Sequence, residues 1–175
     1  MATREKQSRT SHRCGFDTPP SKSVIFTAST FFQQRRAVSL PAPEKVRRIN
    51  RKSGNEDAER FNRPPPVTIP SLGLFIKYGA DVTVAEAETQ LLMYERLQGQ
   101  VPVPEIFGWM EDGEQVFIYM QLVQGQTMLA RWPTLNEIER QSVCAQLKSV
   151  VAAWRGLRQE GGDAYIGKSA FCPTS

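Results

Sequence analysis

Cysteine and histidine are scarce in this chain, and their scarcity removes several classes of protein at once. The three cysteines, Cys14, Cys144 and Cys172, are widely separated, so no disulfide framework is encoded and a reducing setting is expected. No two of them stand at metal-ligand spacing, and the one histidine, His12, lies in a basic arm, which argues against a structural zinc site. Long apolar runs are missing as well: none approaches the roughly 18–20 residues that a membrane span requires. The expected location is cytoplasmic, without membrane association. Arg4, Lys6, Arg9 and Arg13 among serines and threonines offer a mitochondrial presequence as the alternative, and Glu5 stands against it.

What is present is unevenly distributed. The net charge is +4, but residues 1–63 hold 14 of the 22 Lys and Arg and only 6 of the 18 Asp and Glu. Residues 1–63 therefore read as a basic, largely disordered arm with short helical or docking segments, ahead of a mildly acidic packed part. Within the arm, Phe26, Phe31 and Phe32 are available to dock onto a body. Pro41-Ala42-Pro43-Glu44 opens a helical turn through Val46 and Ile49, since proline fits the first turn of a helix. Arg47-Arg48 with Arg51-Lys52 makes a basic cluster. No aromatic residues interleave with it and no nucleic-acid-binding fold follows, so nucleic acid is not an expected partner. Pro64-Pro65-Pro66 stiffens the chain in an extended form, and the domain boundary is placed near residue 63.

Beyond Val67 the pattern predicts packed elements. Leu72 to Tyr78 reads as a strand, turned by Gly79-Ala80-Asp81. Thr83 followed three residues later by Glu86 is a capping-box signature, so a helix runs from Val84 to about Leu97, and Gly99 ends it. Val101-Pro102-Val103-Pro104 must be extended, because each proline pushes its predecessor out of helical geometry. Ile106 to Met110 and Gln115 to Leu122 form a hairpin around Asp112-Gly113. Val116 to Met120 is apolar on both faces, so this strand is covered on both sides. Thr134 with Glu137 opens the longest helix, Leu135 to Arg158, which Gly161-Gly162-Asp163 closes. Its Ile138, Val143, Leu147, Val150, Val151, Trp154 and Leu157 make one broad apolar face.

Lys77, near the end of the first strand, is the leading candidate for chemistry. Phosphoryl transfer asks for positive charge at a fixed place against phosphate oxygens, and a stiff strand supplies the fixed place. A helix carboxylate then holds such a lysine in position. At about 100° per residue, Val84, Ala87 and Leu91 centre the apolar side of the helix. Glu88 falls within about 60° of that centre and Glu86 points nearly opposite. Glu88 is therefore the expected partner of Lys77, with Glu86 accounted for by its cap, although Glu95 also lies near the apolar side. Taken alone, a strand-end lysine is ordinarily solvated and a first-turn glutamate ordinarily favours the helix dipole. A second feature adds to the first. Met120-Gln121-Leu122-Val123-Gln124-Gly125 leaves the buried strand, loses its apolar character and ends in glycine. Such a connector exposes backbone N–H and C=O groups that can read the edge of an adenine ring.

The ordered succession of Arg63-Pro64-Pro65-Pro66-Val67, Leu72 to Gly79, Val82-Thr83-Val84-Ala85-Glu86, Val101 to Trp109, Phe117-Ile118-Tyr119-Met120 and Arg131-Trp132 resembles the aminoglycoside phosphotransferase and choline kinase-like family, in its filamentous-fungal form. The likeness covers about residues 63–167, and Pro41 to Arg47 is similar to the family's N-terminal lead-in. It implies an α+β fold. Residues 64–125 would be the N-terminal lobe of a protein kinase-like fold, an antiparallel sheet with one packed helix, and residues 126–175 the start of the C-terminal lobe with its first long helix. The implied activity is transfer of the γ-phosphoryl group of ATP to the hydroxyl of a small molecule, with magnesium. Lys77 would meet the α- and β-phosphates, with Glu88 or, by the family motif, Glu86 as its partner. Gln121, Leu122 and Val123 would form the adenine-contacting hinge.

Two departures qualify the likeness. Pro64 to Gly73 contains one glycine where a glycine-rich loop would clamp the phosphates, and no His-Gly-Asp segment or later metal-binding aspartate motif occurs in the chain. No catalytic residue or magnesium ligand is therefore assigned, Asp163 included. The expectation is the N-terminal, nucleotide-binding part of such a kinase, inactive as it stands. The alternative is a non-catalytic, pseudokinase-type nucleotide-binding or protein-interaction module. The apolar face of helix 135–158 would then serve self-association or a protein partner.

Overall fold

A strand as apolar as Val116 to Met120 has to be covered on both faces, and the architecture is built around that requirement. The computed structural model describes residues 23–157. Cys14, Cys172, His12, the basic residues before Ser23 and the Gly161-Gly162-Asp163 stop lie outside them. Five strands, β1 (Ser23–Ile25), β2 (Val67–Ile69), β3 (Leu74–Gly79), β4 (Ile106–Asp112) and β5 (Gln115–Gln121), make one antiparallel sheet. Their order is β1-β4-β5-β3-β2, which places β5 at the centre. The helices are α1 (Thr30–Gln33), α2 (Pro43–Lys52), α3 (Val84–Arg96), α4 (Met128–Arg131) and α5 (Glu137–Gly156). The result is a mixed α+β domain with helices flanking the sheet.

Each face of β5 has its own core. On one, Phe117 and Tyr119 join Leu74, Ile76, Tyr78 and Phe107 beneath Phe31, Leu40 and Val46. On the other, Ile118 joins Ile106 and Trp109 beneath Ala87 and Leu91 of α3. A register shift between Ile106 and Gly108 lets Phe107 serve the first core while Ile106 and Trp109 serve the second. The β4–β5 turn needs only Gly113 and Glu114, because Asp112 pairs directly with Gln115. Gly113 takes φ +63°, the left-handed conformation such tight turns require.

The division expected near residue 63 is not where the fold divides, and the arm is not disordered between Ser23 and Asn62. β1 pairs along β4, with Ser23 opposite Met110. Phe31 is fully buried, as is Val46 of α2, the helix that begins on Pro43. Asn50, also buried, donates to the Pro65 carbonyl at 2.9 Å and to the Tyr78 hydroxyl at 2.8 Å. Tyr119 donates its hydroxyl to the Pro41 carbonyl at 2.7 Å, and burial pushes its pKa well above the ordinary phenol value. Arg47 belongs to the fold too: it ion-pairs with Asp112 and lies 4.9 Å over the Phe117 ring. The expected docking by Phe31 and the helix through Val46 are both present, and the extent of disorder was overstated because a few large apolar residues packed on the sheet suffice to fix a segment.

The long helix starts later than expected. Asn136 is its cap, accepting from the Glu139 N–H at 2.9 Å while the Glu139 carboxylate accepts from the Asn136 N–H at 2.8 Å. Thr134, the cap the sequence suggested, donates its hydroxyl to the Arg131 carbonyl in the preceding turn. No residue of α5 is buried. Ile138 is 79% exposed, Leu147 51%, Val151 38% and Trp154 50%. No helix among the described residues is long and apolar enough to cross a membrane.

Truncating Phe31 to alanine should cost about 3–5 kcal/mol of folding stability, as expected for a buried aromatic. Ile138→Ala should change it by less than about 0.5 kcal/mol. Urea denaturation followed by fluorescence compares the two. A negligible loss at Phe31 would mean that the arm does not unfold with the sheet.

Candidate functional site

Alternation along β3 sorts its side chains. Leu74, Ile76 and Tyr78 enter the core under the arm, so Phe75 and Lys77 stand on the face that carries α3. Lys77 lies opposite Ile118 of β5, and its Nζ donates to a carboxylate oxygen of Glu86. The side chains are 35% and 36% exposed. An ion pair this open to water contributes about 0–1 kcal/mol to stability. Its physical consequence is orientation: a four-carbon stem that would otherwise sample many rotamers is held at one place.

The expected partner, Glu88, makes no ion pair among the described residues. The helical wheel measured distance from the apolar centre of α3, and that centre rests on β4 and β5. β3 runs along one flank of this contact, and the flank facing it carries Glu86. The capping role assigned to Glu86 also gives way. Thr83 is the N-cap residue, but its side chain makes no cap hydrogen bond, and the Glu86 carboxylate is engaged by Lys77.

Two residues that sequence reasoning passed over complete this face. Phe75 lies opposite Met120, and both are half-buried between Lys77 and the end of β5. The signal was available: each stands two residues from a residue already facing α3, Phe75 from Lys77 and Met120 from Ile118. Gln121, opposite Leu74, is three residues along β5 from the partner of Lys77, so about 10 Å of strand separates lysine from connector.

The connector is partly committed to the fold. Gln121 donates its N–H to the Glu105 carbonyl at 2.8 Å, and Leu122 donates its own to the Gly73 carbonyl at 2.8 Å. Val123 is exposed, and its N–H makes no backbone hydrogen bond among the described residues. Of the three expected hinge residues, Val123 is thus the one whose amide is unpaired among the described residues.

Beyond Glu86 a cleft of about 860 Å³ opens between α3, the extended segment Val101–Pro104 and Trp154 of α5. Its walls are mainly apolar, and Gln90 closes one side by donating to the Pro104 carbonyl at 2.9 Å. Among the described residues no group of three or more His, Cys, Asp or Glu stands together as a metal site would. The one carboxylate beside Lys77 is taken up by it. These residues do not fit a magnesium ion, and no step is routed through one. Compared with family models, with curated proteins and with solved structures, the chain matches none.

Glu86→Gln and Glu88→Gln should each change stability by less than about 1 kcal/mol. Only Glu86→Gln should release the Lys77 ammonium, read as faster hydrogen exchange and a shifted nitrogen resonance at Nζ. An equal shift from Glu88→Gln would contradict the assigned pairing.

Proposed function

We propose that residues 64–125, together with the segment from Ser23 that packs on them, form a nucleotide-binding lobe of the kind used by aminoglycoside phosphotransferase and choline kinase-like enzymes, with ATP as ligand. What carries the reading is the alignment on one face of β3 and β5. Lys77 held by Glu86, the apolar pair Phe75 and Met120, and the connector Gln121–Val123 follow one another over about the length of an adenine nucleotide. In this arrangement the ammonium meets phosphate oxygens at one end. The half-buried pair offers an apolar surface for a flat base, and the Val123 N–H at the far end is available to a ring nitrogen. The five-stranded sheet would then be the small lobe of a kinase-like fold, and α5 the first long helix of the large lobe. Phosphoryl transfer to a hydroxyl also needs a base and metal ligands, and among the described residues no group of three or more His, Cys, Asp or Glu stands together to hold the metal. The proposed role of the lobe is therefore binding and orientation of nucleotide.

A second reading has its own observation. α5 presents Ile138, Leu147, Val151 and Trp154 to solvent, more apolar surface than a free helix face ordinarily carries. A lobe that served protein interaction through α5, without catalysis, would present this face to a second copy or to another protein.

Titration calorimetry with MgATP tests the first reading. The unsubstituted chain should bind, and Lys77→Ala should weaken binding at least about tenfold, the loss expected for a charge-assisted contact. Absence of any heat of binding by the unsubstituted chain would sink it. For the second reading, a hydrophobic dye should bind the chain, and Trp154→Glu with Leu147→Glu should abolish both dye binding and concentration-dependent association. A monodisperse monomer that ignores the dye would count against it.

A further inference from the structure

Two supports hold the connector after β5, and one short segment of the arm grips both. On the first side Gln121 donates its N–H to the Glu105 carbonyl at 2.8 Å, and the Glu105 N–H donates to the Gln121 side-chain oxygen at 3.5 Å. The Glu105 carboxylate is in turn held at the start of α1. Thr30 donates its N–H to Oε1 at 3.0 Å and its hydroxyl to Oε2 at 2.5 Å.

On the second side Leu122 donates its N–H to the Gly73 carbonyl at 2.8 Å. The Arg36 guanidinium lies against that glycine: a Cβ on Gly73 would stand 1.7 Å from Arg36 Nη1, and the same nitrogen donates to the Leu72 carbonyl at 3.3 Å. Gly73 takes φ +60°, the left-handed conformation that favours glycine at the turn into β3, and a side chain there would have to push the Arg36 guanidinium aside. The Gln34 side-chain oxygen aims the guanidinium by accepting from Arg36 Nε at 2.9 Å and from Nη2 at 2.6 Å. Between the two grips, Phe31 is fully buried against Phe107, with ring centroids 5.4 Å apart, which pins the segment to the body.

We infer that residues 30–36 are a brace that fixes the backbone of Gln121 and Leu122 from both sides and so sets where Val123 begins, with Thr30 and Arg36 as positioning residues for the base end of the bound nucleotide. The role in binding rests on the nucleotide reading above; the mechanical role does not. The Arg36 grip is exposed and the Thr30 grip part-buried, and neither belongs to a core, so each can be removed without disturbing the two cores. Lys77 and Glu86 lie at the other end of the face and are bonded to each other. Loosening the brace therefore reduces recognition of adenine and leaves recognition of phosphate intact.

The experiment uses the full chain with Thr30→Val and Arg36→Ala, and with Thr30→Ser and Arg36→Lys as conservative counterparts. Amide hydrogen exchange without nucleotide reads the mechanical role. Arg36→Ala should speed exchange at Leu122 about tenfold, and Thr30→Val should do so at Gln121, with the β4–β5 amides unchanged. Calorimetry with MgATP and with magnesium tripolyphosphate reads the positioning role. The two variants should weaken ATP about tenfold while tripolyphosphate binding holds, and the serine and lysine versions should restore most of the loss. Unchanged exchange at both amides overturns the brace, whatever happens to nucleotide. Faster exchange with unchanged ATP affinity, or with tripolyphosphate weakened equally, overturns the positioning role. An unsubstituted chain that binds no MgATP sinks the nucleotide reading and the positioning role with it, while the exchange rates still judge the brace.

Discussion

Everything in this structure depends on taking both faces of β5 out of water. Phe117 and Tyr119 point one way and Ile118 the other, and no single layer can cover both. α3 closes one side and the segment before residue 63 closes the other. Once these covers are in place, the position of Lys77 follows. It stands on the α3 face of β3, just beyond the edge of the helix's apolar contact, where it is half out of water and within reach of the helix flank. A lysine further in would need full compensation for its lost hydration. One further out would have no fixed partner.

Much of the packed part was legible in the residues. Asp112-Gly113 marked the hairpin, Thr83 marked the start of α3, and the unbroken apolar run marked a strand covered twice. In the arm the docking phenylalanine Phe31 and the helix through Val46 were legible; how fully the segment is ordered was not, because single large anchors such as Leu40 stand among polar residues with no period to detect. β2 was hidden in the same way, being three residues between prolines at 66 and 70. Of the two capping boxes expected, the one at Thr83 marks the helix start without forming its side-chain bonds, and the one in α5 forms two positions later. Asn136 with Glu139 and Thr134 with Glu137 are equivalent on paper, and the turn at Trp132–Thr134 decides between them by engaging the threonine.

The candidate site shows where helical periodicity stops being informative. Glu86 and Glu88 lie on opposite flanks of Ala87, and the wheel cannot say which flank meets β3 until the sheet order is known. Lysine and connector were found from residue type and position. Phe75 and Met120 were passed over, because half-buried apolar residues in strands look alike whether they support a ligand or merely fill space. The functional reading stands on the arrangement of these side chains together with the order of the sequence segments that first suggested it.

The pairing of Ser23 with Met110 joins the first described strand to one near the middle of the chain. On the ribosome those partners emerge far apart in time. At about 5–20 residues per second, the 87 residues from Val24 to Met110 take about 4–17 s to synthesise. During that interval Phe31 and Val46 have no sheet to enter, and the nascent arm carries its anchors bare. Until β4 and β5 appear, those anchors are apolar surface of the kind that chaperones cover.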